Sequence, residues 1–184
     1  MKKTLLASIC MTALVLTACD KKPKEEPVTT ANTSVTATTP ATEMPAKNIA
    51  FSSNNTVDIK NDLNKLQTLS NSRAKEAIDF QNKATQAAEK GDTATLHSTI
   101  ADMRTYITRF NKELDNLVLN SSEVDAIRNK IKKSNDLGIQ LSEASIEKSP
   151  DMKKITELQN EAAKLQKELI SDMQALQTKV NNAT

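Results

Sequence analysis

Residues 96–117, LHSTIADMRTYITRFNKELDNL, decide the fold. Their large apolar side chains fall at Leu96, Ile100, Met103, Ile107, Phe110, Leu114 and Leu117, alternating steps of four and three. That spacing returns one side chain per turn to the same stripe of a helix and is incompatible with the period of two that a strand requires. Such a stripe must be buried against other elements, and the flanking sequence supplies them.

Three further stretches carry comparable seams. The first runs Ile59, Leu63, Leu66, Ala77, Phe80, Ala84 and Ala87. Another runs Val124, Ile127, Ile131, Leu137 and Leu141, and the last Ile155, Leu158, Ala162, Leu165, Leu169, Met173, Leu176 and Val180. The breaks between them have physical causes. Gly91 can adopt the left-handed conformation that ends a helix, and Asp92 or Thr93 can cap the next. Asn120-Ser121-Ser122 offers a serine cap followed by Glu123 and Asp125 near the positive helix end, while Ser149-Pro150-Asp151 reads as a cap, a first-position proline and a first-turn acid.

These signals predict helices over about 57–90, 93–120, 122–148 and 150–182, each ~37–50 Å long at ~1.5 Å per residue. Short connections force neighbouring helices to reverse, so the expected fold is all-α: an antiparallel up-down-up-down four-helix bundle over 57–184. The rival is a three-helix arrangement in which the break near Ser121 is bridged and one long helix oligomerises.

Ahead of the helices, residues 19–56 are rich in Thr, Ser, Pro and Ala, with Ile49 and Phe51 among the few large apolar side chains. A segment of this composition cannot offset its ordering entropy, and a disordered linker is expected. At ~5–6 Å times the square root of its length it would reach about 30–35 Å, although Ile49 and Phe51 could form a short docking segment.

Residues 1–18 place Lys2 and Lys3 before an apolar run from Leu5 to Leu16, and Leu16-Thr17-Ala18-Cys19 follows. This run falls short of the ~20 residues that span a bilayer. The pattern resembles a bacterial lipoprotein signal peptide, an ordinary secretory signal with an incidental cysteine being the alternative. The resemblance implies cleavage after Ala18 and acylation of Cys19, with two or three acyl chains giving a stable anchor where one is marginal. It further implies a protein facing the periplasm from an envelope membrane, with Asp20 and Lys21 as candidate sorting residues. Asp20 favours inner-membrane retention in enterobacterial lipoproteins, but sorting rules differ among groups, so inner and outer membrane both stay open.

Chemistry is sparse. Of two cysteines, Cys10 would leave with the signal and Cys19 would be acylated, so no structural disulfide is expected. The chain has 25 basic and 23 acidic residues, and removing Lys2 and Lys3 leaves the two balanced, which gives no argument for nucleic acid. His97 is the lone histidine, without the partners of a zinc or di-iron site. No nucleophile elbow or phosphate loop is present, and carboxylates such as Glu113, Asp115 and Asp125 read as a solvated face. Met103, Met152 and Met173 sit at or beside the seams as core filling. No enzyme, metal or cofactor beyond covalent lipid is expected.

The seams have polar exceptions. The three-four steps land on Ser70 and Arg73 in the first helix, Ser134 and Gly138 in the third and Asp172 in the fourth, with Tyr106 at a similar height. Three readings stand: a buried layer fixing register through an Arg73–Asp172 ion pair, simple exposure with Ala74 or Met173 packing instead, or a cavity where Arg73 receives an anion. Off the seams, Tyr106, Val118, Leu119, Ile139 and Ile170 could pack in a broader core or form a partner-binding patch.

The functional expectation is a non-enzymatic, lipid-anchored helical interaction module with an envelope protein as partner, acting as adaptor, inhibitor or assembly accessory. The alternative is a periplasmic carrier or sensor of a small anionic or amphipathic ligand in the bundle core, and self-association through the seams is a third reading.

Overall fold

A computed structural model describes residues 50–183. The signal segment 1–18, Cys19, Asp20, Lys21 and the linker up to residue 49 lie outside the described residues. Four helices follow in order: α1 (Thr56–Lys90), α2 (Thr93–Asp115), α3 (Ser122–Ile146) and α4 (Met152–Asn181).

Each helix opens on a side-chain cap. Asn55 accepts from the amides of Val57 and Asp58 at 3.1 and 3.3 Å, and Asp92 accepts from the Thr95 amide at 3.0 Å. Ser121 accepts from the Val124 amide at 3.4 Å. Gly91, at φ 67°, closes α1 in the left-handed region, where the adjoining Asp92 amide donates back to the Ala87 carbonyl at 2.9 Å.

Two boundaries differ from the expectation. Pro150 is not the first residue of α4: Asp151 is the cap, accepting from the amides of Lys153 and Lys154 at 2.9 and 3.1 Å. A carboxylate at the positive helix end is a better acceptor than the Ser149 hydroxyl, and it moves the start two residues on. Likewise α2 stops at Asp115 rather than 120, because residues of α1 and α3 take up the polar groups of the connection that follows.

Ion pairs order the packing. Arg73, Glu76 and Lys83 on α1 meet Glu113, Arg109 and Asp102 on α2, so partners descend as the first helix ascends. The same descent joins Lys132 and Glu143 on α3 to Asp115 and Arg104 on α2. On α4, Asp172 and Glu168 pair with Lys130, and Glu161 with Lys133.

The core is divided. One cluster gathers Ile59, Leu63 and Leu66 of α1, Phe110 and Leu114 of α2, Val124, Ile127 and Leu137 of α3 and Ile155, Leu158, Leu165, Leu169 and Met173 of α4. The other is built from Ala84 and Ala87 of α1, Leu96, Ile100, Met103, Tyr106 and Ile107 of α2 and Ile139 of α3, without a buried residue from α4. Thus α3 is buried on two sides, which is why Ile139 lies off the seam of Leu137 and Leu141 yet is only 3 % exposed.

Candidate functional site

A buried carboxylate beside the apolar seam of α1 engages three donors. Asp62 lies on α1 between Ile59 and Leu66 and is wholly buried. One carboxylate oxygen accepts the backbone amides of Asn120 and Ser121 at 2.6 and 2.8 Å, and the other accepts from the Lys65 ammonium at 2.9 Å. Burial alone would push this carboxyl up, but the Lys65 contact and the Ser121 and Asn120 amides together hold it below the usual carboxylate range. Lys65 also donates to the Val118 carbonyl at 2.8 Å. From α3, Arg128 donates to the carbonyls of Leu114 and Leu117 at 3.3 and 3.0 Å and pairs with Asp125. Residues 116–121 are therefore held from both α1 and α3, side chains meeting the amides of Asn120 and Ser121 and the carbonyls of Leu117 and Val118 in place of helical partners.

The chain entering α1 joins this end of the bundle. Ser52 forms an isolated parallel bridge with Ser121: its amide donates to the Asn120 carbonyl at 2.7 Å and its carbonyl accepts from the Ser122 amide at 3.0 Å. Asn54, at φ 61°, donates its amide to the Glu123 carboxylate at 2.6 Å and accepts from Lys179 on α4. The expected linker thus gives way to a fixed strap before residue 56, and Phe51 is 46 % exposed.

The anticipated polar layer does not assemble. Arg73 makes no pair with Asp172; it grips Glu113 of α2 through two hydrogen bonds of 2.8 and 2.5 Å. The Glu113 bond is the main reason the guanidinium holds its proton more firmly than usual, and burial opposes it. Asp172 instead accepts from Lys130 of α3 at 2.7 Å, and this bond and that of Glu168 raise the Lys130 ammonium above its ordinary value. Both partners come from the adjacent helix in sequence, because a short connection sets helices side by side along their length. Ser70 turns back to the Leu66 carbonyl within its own helix at 2.9 Å, and Ser134 is half-buried on α3.

Only Tyr106 of that set is buried, at 4 % exposure. Its hydroxyl donates to the Arg73 carbonyl at 3.0 Å, and its ring lies 5.5 Å from that of Phe80 and 6.2 Å from that of Phe110. Burial and the nearby Glu76 charge raise its phenol above the ordinary value. Of the other off-seam residues, Leu119 and Ile139 are core, while Val118 and Ile170 are exposed.

Asp62 left a trace in the sequence: it stands three residues after Ile59 and four before Leu66, a core position, but Leu63 beside it completes the apolar stripe. The Asn120 and Ser121 amides that satisfy it leave no trace, since any residue but proline supplies such a donor.

Among the described residues no group of three or more His, Cys, Asp or Glu side chains could hold a metal ion, and no helix is long and apolar enough to cross a membrane. A family model described as "Uncharacterised lipoprotein PM1805" matches residues 60–181. The chain belongs to this family. The PM1805 match opens within α1 and closes at the last residue of α4, so it takes in Asp62, the α2–α3 connection and the Arg73–Glu113 pair. No curated protein and no solved structure matches the chain.

Proposed function

We propose that this PM1805-family lipoprotein is held to an envelope membrane by acyl chains on Cys19 and presents its helices in the periplasm as a non-enzymatic interaction module. The family match supports the anchor, and Leu16-Thr17-Ala18-Cys19 supplies the residues for it. Asp20 and Lys21 would take part in choosing the membrane.

The observation that carries the module reading over the carrier is the Arg73–Glu113 pair. A carrier of an anion needs a cation facing a space in the core. Here the guanidinium spends two hydrogen bonds on a carboxylate between α1 and α2, and the adjoining level is occupied by the packed rings of Phe80, Tyr106 and Phe110. An adaptor, inhibitor or assembly accessory needs none of that space, only helix faces in reach of a partner.

Crosslinking the acylated protein in intact cells, with Cys19→Ser as the mislocalised control, tests this reading. A protein partner captured reproducibly with the native form and lost with the control supports it. No partner, where a known envelope complex is captured in the same cells, returns the argument to the small-ligand carrier.

A further inference from the structure

Of the six large apolar side chains left exposed among the described residues, three lie at one end of the bundle: Phe51, Val57 and Val118, at 46, 65 and 66 %. Phe51 precedes the strap residue Ser52, Val57 lies in the first turn of α1, and Val118 belongs to the connection that Ser52 and Asp62 hold. Of the others, Ile78 and Ile170 are on helix flanks, and only Met152 is near the opposite end.

We infer that this end rests on the lipid surface, Phe51 and Val118 dipping into the head-group boundary, so that the helices stand away from the membrane. The inference rests on the acyl-anchored reading of Cys19. Its occupant is decided by where the chain outside the structure attaches: residues 20–49 join Cys19 to Ala50, beside Phe51, so the acyl chains reach the bundle at the end that carries the patch.

Size argues the same way. Three partly exposed side chains offer far less than the ~800 Å² per partner of a stable protein interface, so a second copy is poorly matched. Nor would the patch alone hold a free protein on lipid. Once the chain is anchored, however, the contact is intramolecular, and an effective concentration near the millimolar range makes a weak apolar contact sufficient.

The fixed strap gives the contact its orientation. Ser52 is bonded to both Asn120 and Ser122, and Asn54 to Glu123 and Lys179, so the entering chain is tied to α3 and α4 as well as continuing into α1. Phe51 and Val118 thereby sit one and three residues from the Ser52–Ser121 bridge, and the α1–α2 turn at Gly91 is carried ~50 Å away, the length of α1.

The test uses the acylated protein in vesicles of phosphatidylethanolamine and phosphatidylglycerol. With Cys19 acylated, Val118→Cys and Glu89→Cys each add one reactive thiol for a nitrobenzoxadiazole label, at the tip and near the far turn; both sites are exposed, so the fold is undisturbed. Spin-labelled lipid is expected to quench the label at 118 at least about twofold more than that at 89. Equal quenching at both sites overturns the inference. So does a label at 118 that responds to added envelope proteins and not to spin-labelled lipid, which would give the patch to a protein partner. A protein that fails to float with the vesicles overturns the anchor itself and this inference with it.

Discussion

The carboxylate of Asp62, in the second turn of α1, accepts the backbone amide of Ser121 at 2.8 Å across 59 positions of sequence. This contact ties the start of the first helix to the cap of the third, and the Ser52 bridge to the same residue brings in the entering chain. Removing the carboxylate leaves two amides without their acceptor in a buried site. Asp62→Ala is therefore expected to cost about 2 kcal/mol or more in denaturant unfolding, against less than about 1 kcal/mol for Asp58→Ala, half-buried in the first turn.

The same carboxylate sets an acid limit. Its native pKa lies below the ordinary 3.8, so in that window the unfolded chain binds more protons and folding stability rises with pH. The contribution is fully present above the ordinary value and is lost as pH falls through the native one. Glu123, lowered by the Asn54 amide against the effect of burial, acts in the same direction. Melting temperature should hold between about pH 5 and 7 and fall below about pH 4, with a shallower fall in Asp62→Asn.

A double-mutant cycle separates the observed ion pair from the anticipated one. Arg73→Ala and Glu113→Ala should be coupled, because the bidentate geometry between two helices is lost when either goes. Arg73→Ala and Asp172→Ala should be additive in urea unfolding, since Asp172 answers to Lys130.

The two glycines predict opposite signs for one substitution. At Gly91 an added Cβ meets nothing within 4 Å, so Gly91→Ala tests backbone alone, and the φ of 67° should make it destabilising by about 1 kcal/mol. Gly138 also has open space for a Cβ but lies inside α3, where alanine costs less conformational entropy. Gly138→Ala should stabilise by roughly 0.5–1 kcal/mol, read as a rise in melting temperature.

Tyr106 separates packing from hydrogen bonding. Tyr106→Phe removes only the bond to the Arg73 carbonyl and should cost about 1 kcal/mol; Tyr106→Ala also empties the space between Phe80 and Phe110 and should cost about 3–5 kcal/mol in the same assay.

The sequence by itself determined the four helices, since the three-four spacing from Leu96 to Leu114 and the caps around Gly91 and Ser121 are local signals that every residue nearby obeys. It also carried the Cys19 pattern, which depends on neighbours a few residues away. What it left open were choices between helices. Arg73 had acids within reach on more than one helix, and spacing along one helix says nothing about which neighbour faces it; packing gave it Glu113. Asp62 was hidden beside Leu63 in an unbroken stripe, and only tertiary structure delivered the two amides of the α2–α3 connection to it. Backbone donors are common to nearly every residue, so only the fold could decide which of them a buried carboxylate would meet.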